Sequence, residues 1–329
     1  WHSKNILEKF KNIKWNEAII ELHKPENIGK FKKNFYQRLA FDEIFSTFLV
    51  NSEIRKKIKK IKKKRKLLDK TKQNEIIDKL EFTLTKDQKK TLEEINNDLS
   101  SSNKMFRLLQ GDVGSGKTIV SLIAAYNTIN SGFQVAIHAI GDKGNQLALD
   151  EIEWSYSSVG GKELRHRVEH AQVVDLEDIP RFKLLNVIPS MQPTHATSDM
   201  NMAEDRLGKA RMEGAYAWKT LLNSGIPMPL GSDFPVELAN PFYGLHAAVT
   251  RQDRNNQPVA GWYPEQAMSI RQAFKGFTLD AAYAAHMEDT LGTLTEGKWA
   301  DFILVDQDIF KVKPQDIWKT KVMQTWIAG

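Results

Sequence analysis

Apolar and polar positions along the chain fall into three textures. From residue 5 to residue 80 there is little Gly or Pro and no sustained alternation, which predicts helices. From residue 103 the pattern shortens. Met105–Gln110 reads as an apolar strand, a Gly-rich turn follows, and Thr118–Asn130 reads as a helix. FQVAIHA, residues 133–139, reads as a second strand. Beyond it, strand-like stretches at 165–171, 187–192 and 226–231 alternate with helical ones at 175–186, 213–223 and 266–286. That rhythm predicts βα units around a parallel sheet. The tail, 291–328, reads as short strands joined by turns.

Composition adds a division that the pattern alone does not show. Residues 1–136 carry 28 Lys and Arg against 16 Asp and Glu, while residues 137–329 carry 19 against 25, so a basic front precedes an acidic back. Lys, Ile and Asn supply 51 of the first 136 residues but 29 of the last 193. All three use AT-rich codons, so the two parts look drawn from genomes of different base composition. The run Arg55–Lys66 holds ten basic residues and two Ile. It reads either as a solvated helix or as a phosphate-facing element that would bind nucleic acid by releasing counterions. No apolar run approaches the ~18 residues of a membrane span. Cysteine is absent, which excludes disulfides and thiolate chemistry. With no apolar stretch of secretory type behind Trp1, the expected location is cytoplasmic. The lack of an initiator Met leads to the expectation that the sequence starts inside a longer protein.

Gly111-Asp112-Val113-Gly114-Ser115-Gly116-Lys117-Thr118 matches G-x-x-x-x-G-K-[ST] between a predicted strand and a predicted helix. Glycines there let backbone N–H groups surround phosphate oxygens, and the helix start adds partial positive charge. Lys117 would reach the β- and γ-phosphates of ATP and Thr118 would hold Mg²⁺. With Phe82-Thr83-Leu84-Thr85-Lys86-Asp87-Gln88 and Met105–Gln110, this region resembles the first motifs of RecG-type DNA helicases, over about residues 1–136. The resemblance implies that Gln88 contacts adenine, that Gly111, Gly114, Gly116, Lys117 and Thr118 hold the nucleotide, and that the basic front contacts DNA. A D-E-x-H motif, which such motors need, occurs nowhere downstream. Coupled hydrolysis and strand separation are therefore not expected.

Six of the eight histidines lie beyond residue 136. His138 closes FQVAIHA, His170 closes RHRVEHA, and Asp233 follows PLGS. All three fall at C-terminal ends of predicted parallel strands, where barrel sites are built. Imidazole and carboxylate are suitable Zn²⁺ ligands, and an open position would hold an attacking water. A lone His at a strand end is usually structural; three candidate ligands at successive strand ends favour a metal. His166 lies deeper on the face of His170 and reads either as supporting the metal ligands or as structural. His195 reads either as lining the substrate pocket or as packing, and His246 and His286 read as helical packing or surface positions. The stretches HAIGD (138–142), RVEHAQ (167–172), SMQPTH (190–195), LGSDFPV (230–236) and GTLTEGKWADFILVD (292–306) resemble the YtcJ-like branch of the amidohydrolase superfamily, over about 132–329. The resemblance implies a metal-dependent hydrolase acting on a small amide-type substrate. His138, His170 and Asp233 would bind Zn²⁺, Asp233 would also shuttle the proton, and His195 would line the substrate pocket. The H-x-H pair expected of a first barrel strand is missing upstream of His138.

The two resemblances meet at Gly132-Phe133-Gln134-Val135-Ala136, inside a predicted strand rather than in a linker. The expected organisation is a basic helical segment (1–80), a partial P-loop motor unit (81–136), the C-terminal half of a (β/α)8 barrel (137–290) and remnant β-sandwich strands (291–329). The fold class is α/β. Half a barrel leaves open sheet edges, so little catalysis is expected, together with either marginal stability or dimerisation through those edges. Three functional readings stand: a truncated hydrolase, an ATP- and DNA-binding motor fragment, or a join of two parents with no evolved function.

Overall fold

The computed structural model describes residues 8–24, 32–60, 62, 68–105, 107–110 and 115–329. They divide into two compact units. One comprises residues up to Leu68 together with Leu80–Ser121; the other comprises Asp69–Lys79 and Leu122–Gly329.

Helices dominate the early residues because nothing there alternates with period two. They are α1 (Trp15–His23), α2 (Lys33–Lys60), α3 (Lys70–Asp78), α4 (Lys86–Ser100) and α5 (Lys117–Asn130). In the first unit α1 packs on α2, where Arg38 Nε donates to the Ile13 carbonyl at 3.0 Å and pairs with Asp42. Thr85 and Gln88 close a capping box at the start of α4. Leu92, Ile95 and Leu99 form that helix's buried stripe. Within the basic run, residues 61 and 63–66 lie outside the described residues, as do Gly111 and Gly114.

Among the described residues of 105–110 no strand forms, against the sequence expectation. A strand needs a partner to hydrogen-bond, and none is offered here. Instead Arg107 folds back on α4, with Nη1 2.7 Å from Glu94 and Nε 2.9 Å from Asp98. Leu108 is left exposed.

The second unit is built on a parallel sheet in the order β1 (Ala136–Ala139), β2 (Arg167–His170), β3 (Ile188–Ser190). The connections are α6 (Asp142–Val159) and α7 (Ile179–Leu185). After β3 come α8 (Pro193–Asp199), the short α9 (Ala203–Leu207) and α10 (Lys209–Met212), then α11 (Trp218–Asn223) and α12 (Pro241–Thr250). α13 (Ile270–Phe277) and α14 (Leu279–Ala284) follow. The single helix expected over 266–286 is broken at Thr278 (φ −124°, ψ −86°), and His286 sits in a turn after it. The tail forms β4 (Phe302–Val305) and β5 (Val322–Trp326), paired antiparallel.

The fourth strand expected, 226–231, is reduced to one parallel bridge between Met191 and Leu230. On the side of β3, Met191 N–H donates to the Pro229 carbonyl and Gly231 N–H to the Met191 carbonyl, while Leu230 N–H donates to the Gly276 carbonyl and Met228 N–H to the Asp280 carboxylate. A core of Val168, Phe182, Val187, Leu149, Trp218 and Leu221 fills the space between sheet and helices. Val168, Phe182, Val187, Leu149 and Leu221 are fully buried.

Candidate active site

The C-terminal ends of β1 and β2 place two imidazoles together. Ala139 pairs with His170 in the parallel register, so His138 and His170 sit one residue apart across the two strands. Their rings meet edge to face with centroids 4.5 Å apart. His195, from the first turn of α8, stacks on His170 at 5.6 Å. His138 is exposed, while His170 and His195 are buried.

The backbone is strained where the site needs it. His170 has φ +77° and Ala171 +42°, both in the left-handed region that costs non-glycine residues energy. Asp233, at φ +55°, lies on an exposed turn.

Gln192 fixes the His170 ring. Its Nε2 donates to the Ser190 carbonyl at 3.2 Å, which leaves Oε1 as the acceptor 2.8 Å from His170 Nδ1. The ring therefore carries its proton on Nδ1 and turns Nε2 outward as a lone-pair donor. That is the form a metal-binding imidazole takes. Sequence reasoning did not single out Gln192.

Burial, with the neighbouring His170 next in effect, lowers the pKa of His195; its Nε2 is buried without a partner. His166 is wholly buried beneath the site. It accepts from Val135 N–H through Nδ1 at 3.0 Å and stacks on Tyr156, and burial lowers its pKa to about 4. Next to the site, Gln172 Nε2 donates to Asp199 and to the Tyr216 hydroxyl, which itself donates to Asp199 at 2.7 Å.

These donors fit a metal in kind but fall short in number. Among the described residues no group of three or more His, Asp or Glu side chains is arranged to hold a metal ion. His138 and His170 converge, but Asp233 does not close a three-ligand set with them, whereas a catalytic zinc has three protein ligands.

In the phosphate-loop region, Gly116 takes φ +71°, and Gln88 Nε2 donates to the Ser115 carbonyl at 3.0 Å. A Cβ at position 116 would collide with the Gln88 amide. Lys117 and Thr118 open α5 and are exposed.

Comparison with known proteins follows the same division. Residues 122–329 match the amidohydrolase family. Protein LONG AFTER FAR-RED 3 of Arabidopsis thaliana is 35% identical over 200 residues, 60% of this chain and 34% of that protein. The putative amidohydrolase YtcJ of Bacillus subtilis is 35% identical over 199 residues, 60% of this chain and 37% of that protein. A solved structure of an uncharacterized metal-dependent hydrolase from Pyrococcus horikoshii OT3 is similar with a TM-score of 0.52 and 28% identity, over 66% of this chain and 41% of that one. The front of the chain is similar to the ATP-dependent DNA helicase RecG of Aquifex aeolicus, 37% identical over 137 residues, 40% of this chain and 17% of the helicase. The chain thus spans about a third of the first two relatives and under a fifth of the helicase. Through the 122–329 match, which takes in both strand-end histidines and Asp233, the chain belongs to the amidohydrolase family.

Proposed function

We propose that this chain carries the C-terminal part of a metal-dependent hydrolase of C–N, amide-type bonds, and that by itself it is catalytically incomplete. The carrying observation is the His138–His170 pair at the ends of adjacent parallel strands, with His170 Nε2 freed for a metal by Gln192. In this reading His138 and His170 are metal ligands. Asp233 contacts the ion in the complete site and moves the proton, and His195 lines the substrate pocket. Imidazole donors suit zinc. The sheet represents part of a (β/α)8 barrel and the β4–β5 pair part of a β-sandwich.

The test is zinc binding by the intact chain, measured by equilibrium dialysis, alongside hydrolysis of formamide and simple dipeptides. The wild type should bind zinc weakly, His138→Ala and His170→Ala should each weaken it about tenfold or more, and hydrolysis should not exceed the buffer rate. Zinc affinity unchanged in both variants would remove the pair from the metal site. Rapid turnover by the chain alone would show that the site is complete.

A second reading rests on a separate observation, the engagement of Gln88 with Ser115 beside Gly116 and Lys117. It assigns ATP and Mg²⁺ to the loop and DNA to the basic front, as in a RecG-like fragment. With each part truncated, a join of two parents with no evolved activity accounts for the whole chain.

A further inference from the structure

His170, at the end of β2, and Gln172, just beyond it, are met by one face of α8. Gln192 at the helix N-cap, His195 and Asp199 are spaced i, i+3 and i+7, so they share that face. Gln192 bonds the His170 ring and His195 stacks on it. Asp199 reaches the same segment two residues further on. Its Oδ2 accepts from Gln172 Nε2 at 3.0 Å and from the Tyr216 hydroxyl at 2.7 Å. Gln172 Nε2 also donates to the Tyr216 oxygen at 2.9 Å, which closes a ring of three hydrogen bonds. Tyr216 is buried. Burial, and after it the bond to Asp199, pushes its phenol pKa up, so the hydroxyl remains a donor.

The segment that Asp199 grips is fixed by other means. Val173 N–H donates to the Ile140 carbonyl, Val174 N–H to the Gly214 carbonyl and Tyr216 N–H to the Gln172 carbonyl, at 2.9, 2.9 and 2.7 Å. Val173 and Ala215 form an antiparallel bridge. Position 214 has to be glycine, because a Cβ there would run into the Val174 carbonyl. These backbone bonds hold His170 and Ala171 in their left-handed conformations. α8 is tied to the segment through side chains instead. It packs on α12, but apolar packing has no preferred direction. The rotation of α8 about its own axis is set by directional bonds, from Gln192 at one end and Asp199 at the other.

We propose that Asp199, with Gln172 and Tyr216, is a positioning residue that sets the rotation of α8 and so places His195 against His170. For its purpose the device rests on the reading of the histidine pair as a metal site, since it fixes the wall beside that pair. Asp199 supplies an acceptor for two donors rather than a charge. Asn, whose amide oxygen can accept the same two bonds, therefore serves in its place.

The test reads ring-to-ring nuclear Overhauser effects in the full chain with isotopically labelled histidine and no metal. In the wild type, His170 should show cross-peaks to both His138 and His195. Asp199→Ala should lose the His170–His195 cross-peak and keep the His138–His170 one, which the pairing of β1 with β2 fixes. Asp199→Asn should restore the wild-type pattern. Tyr216→Phe retains the Gln172–Asp199 bond and should weaken the His170–His195 peak without abolishing it. The readout needs no metal, so a chain that failed to bind zinc would sink the metal reading while these cross-peaks still decided the placement of α8. An Asp199→Ala variant that keeps both peaks, or an Asp199→Asn variant that loses the same peak as Asp199→Ala, would overturn the proposal. Loss of both peaks in Asp199→Ala would also overturn it, by showing that the bonds hold the His170 turn rather than α8.

Discussion

A single amide decides what His170 can offer. Gln192 could present oxygen or nitrogen to the ring, and the Ser190 carbonyl settles the matter by taking the nitrogen. Replacing Gln192 with Leu removes the only acceptor placed at His170 Nδ1, leaving a donor unpaired in a buried position. In Gln192→Leu the ring proton should shift toward Nε2, read from the imidazole nitrogen shifts in long-range proton–nitrogen correlation spectra. An Nδ1–H tautomer that persists in the variant would mean that Gln192 does not position the ring. His166, which contacts Val135 rather than Gln192, is the internal control in the same spectrum. At this scale the sequence was partly legible. His138 and His170 stood out because each closes a predicted strand, at the end where parallel sheets build their sites. Gln192 was silent, since its role arises from a neighbour 22 positions away. Arg251 was silent for the opposite reason. A charge reads as surface, yet Arg251 is 1% exposed, held between the Trp218 and Trp262 rings with Nε on the Trp262 carbonyl.

Elements were legible where their hydrogen bonds are local and illegible where they depend on a neighbour. The first helices and the three strands of the parallel sheet follow from pattern. The segment 226–231 has a strand's composition, but it meets β3 through Met191 alone and gives its Leu230 and Met228 donors to residues of α13 and α14. α6 went unpredicted because its buried face mixes Asn145 and Ser155 with Ala148, Leu149 and Ile152, which blurs the apolar stripe. Asn145 is there to bond the Ala139, Gly141 and Val173 carbonyls, a tertiary role that periodicity does not record. The crossing of α13 over 226–231 gives a test. A Cβ on Gly276 would stand 2.7 Å from Leu230 Cγ and 3.0 Å from the Met228 carbonyl. Helix propensity alone favours Gly276→Ala by up to about 1 kcal/mol, whereas overpacking opposes it by about 1–3 kcal/mol. The overlap is with backbone as well as side chain, so the second effect wins. Urea unfolding of Gly276→Ala should show a lower midpoint with an unchanged slope; a raised midpoint would mean the crossing has slack.

At the scale of the whole molecule, the join leaves its mark in what each part lacks. The segment that both parents could claim is well fixed within the second unit. Gln134 Nε2 donates to the Arg165 and Ala284 carbonyls, and Val135 N–H donates to His166. α5 shows how a foreign helix is accommodated. From Leu122 onward it belongs to the second unit, where Ile123, Tyr126 and Ile129 are buried at the spacing of one helical face. The family match begins at residue 122, inside this helix rather than at the shared pentapeptide. The tail finds no such substitute. β4 and β5 pair only with each other, and a two-stranded sheet is marginal alone. Met323 is 64% and Ile327 76% exposed, beside an apolar cavity of about 1120 Å³ lined in part by Phe274, Phe310 and Trp326. With no charged residue between Val322 and Trp326 to discourage pairing, strand addition by a second copy is the expected outcome at this edge. Light scattering on fractionated protein should therefore report a mass that rises with concentration. Met323→Lys combined with Ile327→Lys should return it to that of a single chain, because a buried lysine without a partner opposes any strand that docks there. Both positions are on the surface, so the double variant keeps the fold of the isolated chain. A wild type that stays monomeric throughout, or a double variant that associates just as strongly, would show that the β4–β5 edge is not where copies meet.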